Sequence, residues 1–278
     1  RSLLEVVIAT NGKHRLPGYA RLYLGSGGFK IAAAANMLGL FGALIAYLIA
    51  GGTFLRLLFE GVLDLSPAAA TIGYALPGAL LLLWGLRALP TLEVVILGAF
   101  LLVLTLLSVA AIPHFDVQRV LSSGDPVDAL LPYGVLLFSF WGLSMVPETF
   151  ELVGRKKKRG IQALAAGFVT AVVCYAVFAL VVKGITGDAT TADALTGLRT
   201  QLGDGVVLLT LLFGILTTFS SYLALGLTLL RTLTVDFRRP RMFAWALTVV
   251  LPLALVMLGV DNLLHVLSVT GAVFLGLE

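Results

Sequence analysis

Charge is what this sequence has least of. Only 12% of its 278 residues are Asp, Glu, Lys or Arg, where an ordinary soluble domain carries about 25%. With 59% hydrophobic residues and a mean hydropathy of +1.03, the chain takes lipid as its solvent over much of its surface. One cysteine, Cys174, excludes a disulfide framework and a cysteine metal site. It lies in an apolar run and reads as a small buried side chain. The three histidines are too scattered for a metal centre. There is no phosphate-binding glycine loop, no zinc spacing and no nucleophile set beside a base. No cofactor is expected. No filter sequence or ring of charge suggests a channel. Glu148 and Glu151 lie close together near one interface, so no pair of carboxylates faces another across the membrane depth as an intramembrane enzyme would need.

Long apolar runs are abundant. Stretches near 29–55, 68–88, 91–112, 129–152, 160–183, 205–232, 241–260 and 262–278 give eight candidate spans, the last of marginal length. A spanning helix needs about 20 apolar residues. Pro90 suits a tight turn between the second and third spans, because proline cannot continue a helix that needs its N–H. The polar loop 184–204 has a centre, TADALTGLRTQLG, that suits a short interfacial helix. The opening RSLLEVVIATNGKHRLPG reads as the last turns of a helix and a basic loop, so a spanning helix is expected before residue 1. Residues 1–278 read as a single membrane domain.

The cations set the orientation. If the loop 10–30 is cytoplasmic and the spans alternate, 15 of the 19 Lys and Arg residues fall on that side, with the loops 153–160 and 231–241. Only Arg56, Arg119, Lys183 and Arg199 fall opposite. The positive-inside rule selects this arrangement. The net charge of +4 and the pI near 9.3 therefore serve topology, and no nucleic-acid partner is expected.

The stretch LLPYGVLLFSFWGLSMVPETFELVGRKKKR is the most informative. Pro132, Gly134, Gly142 and Pro147 interrupt it, and Ser139 and Ser144 lie mid-span. Within a bilayer, broken backbone persists only where protein or a water-lined cavity satisfies its freed N–H and C=O groups. Such groups hold the charged ends of a small solute, and helix ends add favourable dipoles. Phe138, Ser139, Phe140, Trp141, Gly142 and Ser144 are the candidate binding residues, with the rings as walls; a kinked packing helix is the alternative. Pro147 suits a first helical turn. Glu148 would follow it, either as a functional carboxylate or as a partner of the adjacent cations.

Elsewhere, Ala32, Ala35, Gly39, Gly42, Ala46 and Ala50 form a small-residue stripe suited to close helix packing. Asn36 and Tyr47 beside it are candidate cavity residues. In span 205–232, Gly214, Thr217, Ser221, Leu225 and Thr228 share a face, with Ser220 adjacent. Thr217, Ser220 and Ser221 are candidate ligands for a hard cation; bonding to their own helix carbonyls is the alternative. His114 and His265 lie near the outer interface and could titrate near neutrality.

These passages carry a resemblance. NGKHRLPGYARLYLG, FSFWGLSMVPETFELVGRKKKRG, TTFSSYLALGLTLLRTL and VTGAVFLGLE resemble the loop after helix two, helix six with its basic loop, helix eight and helix ten of the amino acid/polyamine/organocation superfamily. The match is closest to the aromatic amino acid (tryptophan/tyrosine) permeases. It implies an all-α integral membrane protein with the leucine-transporter-like inverted-repeat fold, here the tail of helix two and helices three to ten. It further implies a secondary transporter in the cell membrane that imports an amino acid by alternating access, coupled to H⁺ or Na⁺. Phe138, Ser139, Trp141, Gly142 and Ser144 would face the substrate, and Thr217, Ser220 and Ser221 would stand at the helix-eight cation position. A helix that supplies about half of the family's substrate site is absent from these residues, so a non-transporting receptor, a structural subunit or an inactive fragment is the alternative.

Overall fold

The computed structural model describes residues 2–10, 14–84, 89–121, 131–142, 146–154, 156–191, 194–274 and 276. All regular structure among them is helical. In order these are α1 (Ser2–Ala9), α2 (Leu16–Leu58), α3 (Pro67–Trp84), α4 (Leu89–Ala111), α5 (Val117–Leu121), α6 (Leu131–Phe140), α7 (Val146–Leu152), α8 (Lys157–Thr186), α9 (Leu195–Leu202), α10 (Asp204–Arg231), α11 (Arg241–Met257) and α12 (Leu263–Val269). Two π-helical turns, Thr232–Asp236 and Thr270–Phe274, extend α10 and α12.

Five of these helices are long and apolar enough to cross a membrane: α2, α3, α4, α8 and α10. Among the described residues, three of the eight expected spans fall short of that length. α11 and α12 are shorter, and the stretch 129–152 is divided into α6 and α7. The expected interfacial helix is α9, whose Leu198 is buried beside α8 and α10.

Local chemistry corrects four expectations. The loop 10–30 is much shorter, since α2 already begins at Leu16. Pro17 in its first turn has no N–H to leave unpaired and fixes a helical φ. The helix then kinks at Gly25, with φ 70 and ψ −160, a conformation that a side chain would oppose. Pro90 lies inside the first turn of α4 rather than in the turn before it. Pro132 likewise starts α6 instead of interrupting it. Gly134 does not break α6 either. A Cβ there would run into the backbone of Ser268, and one at Gly271 would run into the backbone of Gly134. The two glycines let α6 and the turn Thr270–Phe274 touch main chain to main chain.

α2 is the centre of the bundle. It packs on α3, α10, α11, α12 and the turn Thr270–Phe274. Ala35, Gly39, Gly42 and Ala46 of the small-residue stripe are buried, as close packing requires. Gly51 lies under the ring of Tyr74, Gly52 under Thr71 and Gly42 under Thr270. Leu40, Leu44, Leu48, Tyr222, Leu223 and Leu229 make the main core. In lipid, transfer from water does not drive this contact; van der Waals fit does. α4 and α8 are the least buried of the five long helices, at 22% and 17% of their most apolar windows. Val94, Leu102, Phe168 and Val173 stand exposed on them, as lipid-facing side chains do.

The cation-bearing ends gather at one end of the bundle. Arg15 pairs with Glu151 at 3.8 Å and Lys157 with Glu5 at 3.3 Å. Gly18 N–H donates to Asp236 at 3.2 Å, and Arg241 donates to the Leu83 carbonyl at 2.8 Å. At the opposite end the Asp116 N–H donates to the Gly184 carbonyl at 3.0 Å, and Arg119 donates to the Ile185 carbonyl.

Candidate functional site

A cavity of about 750 Å³ opens between α2, α4, α8, α10 and the end of α6. It falls within the roughly 300–1,000 Å³ usual for small-molecule sites. Tyr47 comes from α2, and Glu93, Ile96, Leu97 and Phe100 from α4. The last turn of α6 adds Phe138 and Ser139. Cys174 and Tyr175 of α8 line it with Ala166, Gly167, Thr170 and Ala171. Thr217, Thr218, Ser220 and Ser221 come from α10.

The helix break positions this wall. α6 stops at Phe140, and Trp141 and Gly142 are non-helical. Helical structure resumes in α7 with Pro147 in its first turn. The two halves have different partners. α6 lies on α12 and the turn Thr270–Phe274, whereas α7 lies on α1 and α8. Phe138 and Ser139 therefore occupy the end of a helix instead of its middle.

The rings and hydroxyls are ordered around the cavity. The Tyr47 and Phe138 rings are 6.4 Å apart between centroids, tilted by 58°. The Tyr47 hydroxyl interacts with the Ser221 side chain. Phe140 lies behind the wall, 5.7 Å from the Tyr175 ring and 5.6 Å from Phe168. Four hydroxyls donate to their own helices. Ser139 donates to the Val135 carbonyl at 2.8 Å, Thr217 to that of Phe213 at 3.1 Å, Thr218 to that of Gly214 at 2.7 Å, and Ser220 to that of Thr217 at 3.1 Å. With their protons used, these side chains offer the cavity acceptor lone pairs.

The structure brings together Tyr47, Phe138, Ser139, Thr217, Ser220 and Ser221 from the sequence candidates. It places the others elsewhere. Asn36 is buried in the inner part of α2, at 1% exposure. Trp141 packs against the main core. Gly142 is exposed, and a Cβ on it would meet nothing within 4 Å. Ser144 and the Glu148 side chain lie outside the described residues. Of the α10 face, Gly214 packs on Phe54, and Thr228 is buried, donating to the Ala224 carbonyl at 2.9 Å. His265 takes part in the cap of α12, its N–H donating to Asn262 at 2.9 Å.

Sequence reasoning missed Glu93, Tyr175, Thr170 and Thr218. Glu93 had a readable signal, the lone charge in the apolar run 91–112. It stands at the i, i+3, i+4, i+7 spacing with Ile96, Leu97 and Phe100, all four of which line the cavity. Among the described residues no group of histidine, cysteine and carboxylate side chains could hold a metal ion. The cavity offers hydroxyl acceptors from α6 and α10 beside the rings of Tyr47, Phe100, Phe138 and Tyr175. That combination suits a small solute with both an apolar and a charged part.

A family model described as the tryptophan/tyrosine permease family matches residues 2–275. No curated protein matches the chain.

Proposed function

The chain belongs to the tryptophan/tyrosine permease family, and on that footing we propose that it is a secondary active transporter importing a neutral amino acid, aromatic or other, driven by H⁺ or Na⁺ and cycling by alternating access. As a permease it is a multi-pass cell-membrane protein and not an enzyme. The finer reading rests on one observation. The break after Phe140 and the hydroxyl face of α10 meet at one cavity within the membrane-spanning helices.

In this reading Tyr47, Phe138 and Tyr175 bound the substrate side chain. Ser139, at the end of α6, holds its charged end. Where Na⁺ drives the cycle, the acceptors Thr217, Ser220 and Ser221 take it. Asn36 and Trp141 support this frame from the core, and Phe140 supports Tyr175. α6 with α7 is the broken first helix of the second repeat in the inverted-repeat scheme, and the cation-bearing end faces the cytoplasm. The division of α6 from α7 supports the cycle, since two short helices with separate partners can move separately.

The test is uptake and counterflow of labelled amino acids by the full-length protein in proteoliposomes. Gradient-dependent uptake that saturates, with counterflow, is expected. Binding without counterflow would instead favour a receptor built on the same bundle. Neither binding nor uptake across the panel would end the transporter reading.

A further inference from the structure

Among the described residues lining the cavity Glu93 is the acidic one, and it has no part in the binding of substrate side chain or cation by the other walls. It stands on α4 at the start of the membrane-crossing stretch Glu93–His114. The face it shares with Ile96, Leu97 and Phe100 looks into the cavity, while Val94, Val95 and Leu102 look out to lipid. Its direction is therefore fixed by helical spacing.

Among the described residues lining this cavity there is no lysine, arginine or histidine. The titratable groups facing Glu93 across it are Tyr47 of α2 and Cys174 and Tyr175 of α8; α6 and α10 contribute hydroxyls and an aromatic ring. Phenols and thiols lose protons far above the carboxylate range. The nearest cations on a facing element, Lys157, Lys158 and Arg159, begin α8 and lie at least seven residues before Ala166, about 10 Å along a helix. Among the described residues, then, no ion pair holds this carboxylate charged.

We infer that Glu93 carries the coupling proton of the transport cycle; this rests on the transporter reading above. An ionised carboxylate in a largely apolar cavity demands water. It favours a conformation in which the cavity stays open to solvent. A proton from the outer medium neutralises it, and the loaded cavity can then close around its solute. On the other side the proton returns to water and the carboxylate reforms. The bias comes from the different proton affinity of Glu93 in the two conformations, which is the only means by which a ligand shifts an equilibrium. The amino acid crosses as a net-neutral zwitterion, so one positive charge moves per cycle.

The full-length protein in proteoliposomes tests this with labelled tryptophan and tyrosine. A pH gradient of about one unit, acidic outside, supports about tenfold accumulation per proton. Wild type is expected to approach that level. Glu93→Gln, fixed in the neutral form, is expected to fall to simple equilibration while still exchanging label, because exchange needs no proton to cycle. Gradient-driven accumulation by Glu93→Gln overturns the inference. So does loss of exchange as well as accumulation in a variant that elutes like wild type, and so does a wild type driven by Na⁺ but not by pH. A wild type without any exchange fails at the earlier step, the transporter reading itself. If the variant does not assemble, the wild type still decides. A membrane-permeant carbodiimide should modify Glu93 at acidic pH and abolish accumulation. Peptide mass spectra without an adduct on Glu93 overturn the assignment.

Discussion

Cys174 is the one cysteine of these 278 residues, and its thiol stands in the cavity wall at 6% exposure. A solute filling the cavity must shield it. At ten times its Kd a solute leaves about one site in eleven free, so modification of Cys174 by a small thiol reagent should slow about tenfold with transported amino acid present. Mass analysis of the Cys174 peptide reads this directly, and an unchanged rate would place the binding site elsewhere. The sequence placed Cys174 in an apolar run but did not tell which way it faced. In a soluble protein the apolar face of a helix is the buried one. Here lipid and interior are both apolar, so α4 and α8 are hydrophobic all round and period alone cannot separate cavity from lipid. Glu93 escaped notice for that reason, although its charge was the exception in the run. Tyr47, Phe138, Ser139, Thr217, Ser220 and Ser221 stood out as polar and aromatic groups within apolar spans, and the structure brings them to one cavity, with Ser139, Thr217 and Ser220 also bonded to their own helices.

Among the elements, the break between α6 and α7 was legible and its neighbours were less so. Gly142 and Pro147 mark where a helix must stop and can restart. Pro132 and Gly134 have the same composition but different work, and only their partners reveal it. Gly134 sits against Ser268 and Gly271 with main chain on both sides, where no side chain can rotate aside. Gly134→Ala should therefore cost about 1–3 kcal/mol from overpacking. A Cβ on Gly98 of α4 would meet nothing within 4 Å, so Gly98→Ala should be neutral or gain up to about 1 kcal/mol in helix propensity. Unfolding of the two purified variants in one detergent compares them. Equal stability would mean that α6 does not press main chain to main chain on the turn Thr270–Phe274. The early start of α2 was hidden by its Pro17 and its GSGG stretch, which read as loop. One proline in a first turn and a kink at Gly25 are tolerable to a helix whose next thirty-odd residues are anchored by core contacts.

Across the whole molecule, the cation-bearing end is held together by contacts between elements distant in sequence. Arg15 at the head of α2 holds Glu151 of α7, and the Gly18 N–H holds Asp236 beyond α10. In the proposed alternating-access cycle this end must come apart, which would leave these contacts in one conformation and break them in the other. The Arg15 side chain is 12% exposed and that of Glu151 37%. A pair so placed, bonded at 3.8 Å, contributes up to about 1 kcal/mol. Deleting that from one conformation alone shifts the balance toward the open one by about fivefold. Glu151→Gln should accordingly raise the rate at which an impermeant thiol reagent, applied from the cytoplasmic side, reaches Cys174 by about that factor. Applied from the outer side, the same reagent should react more slowly than with wild type, because the outward-open population shrinks as the inward-open one grows. A parallel rise from both sides would signal general loosening of the bundle. An unchanged rate on both would mean that the pair fastens the surface without gating the cavity.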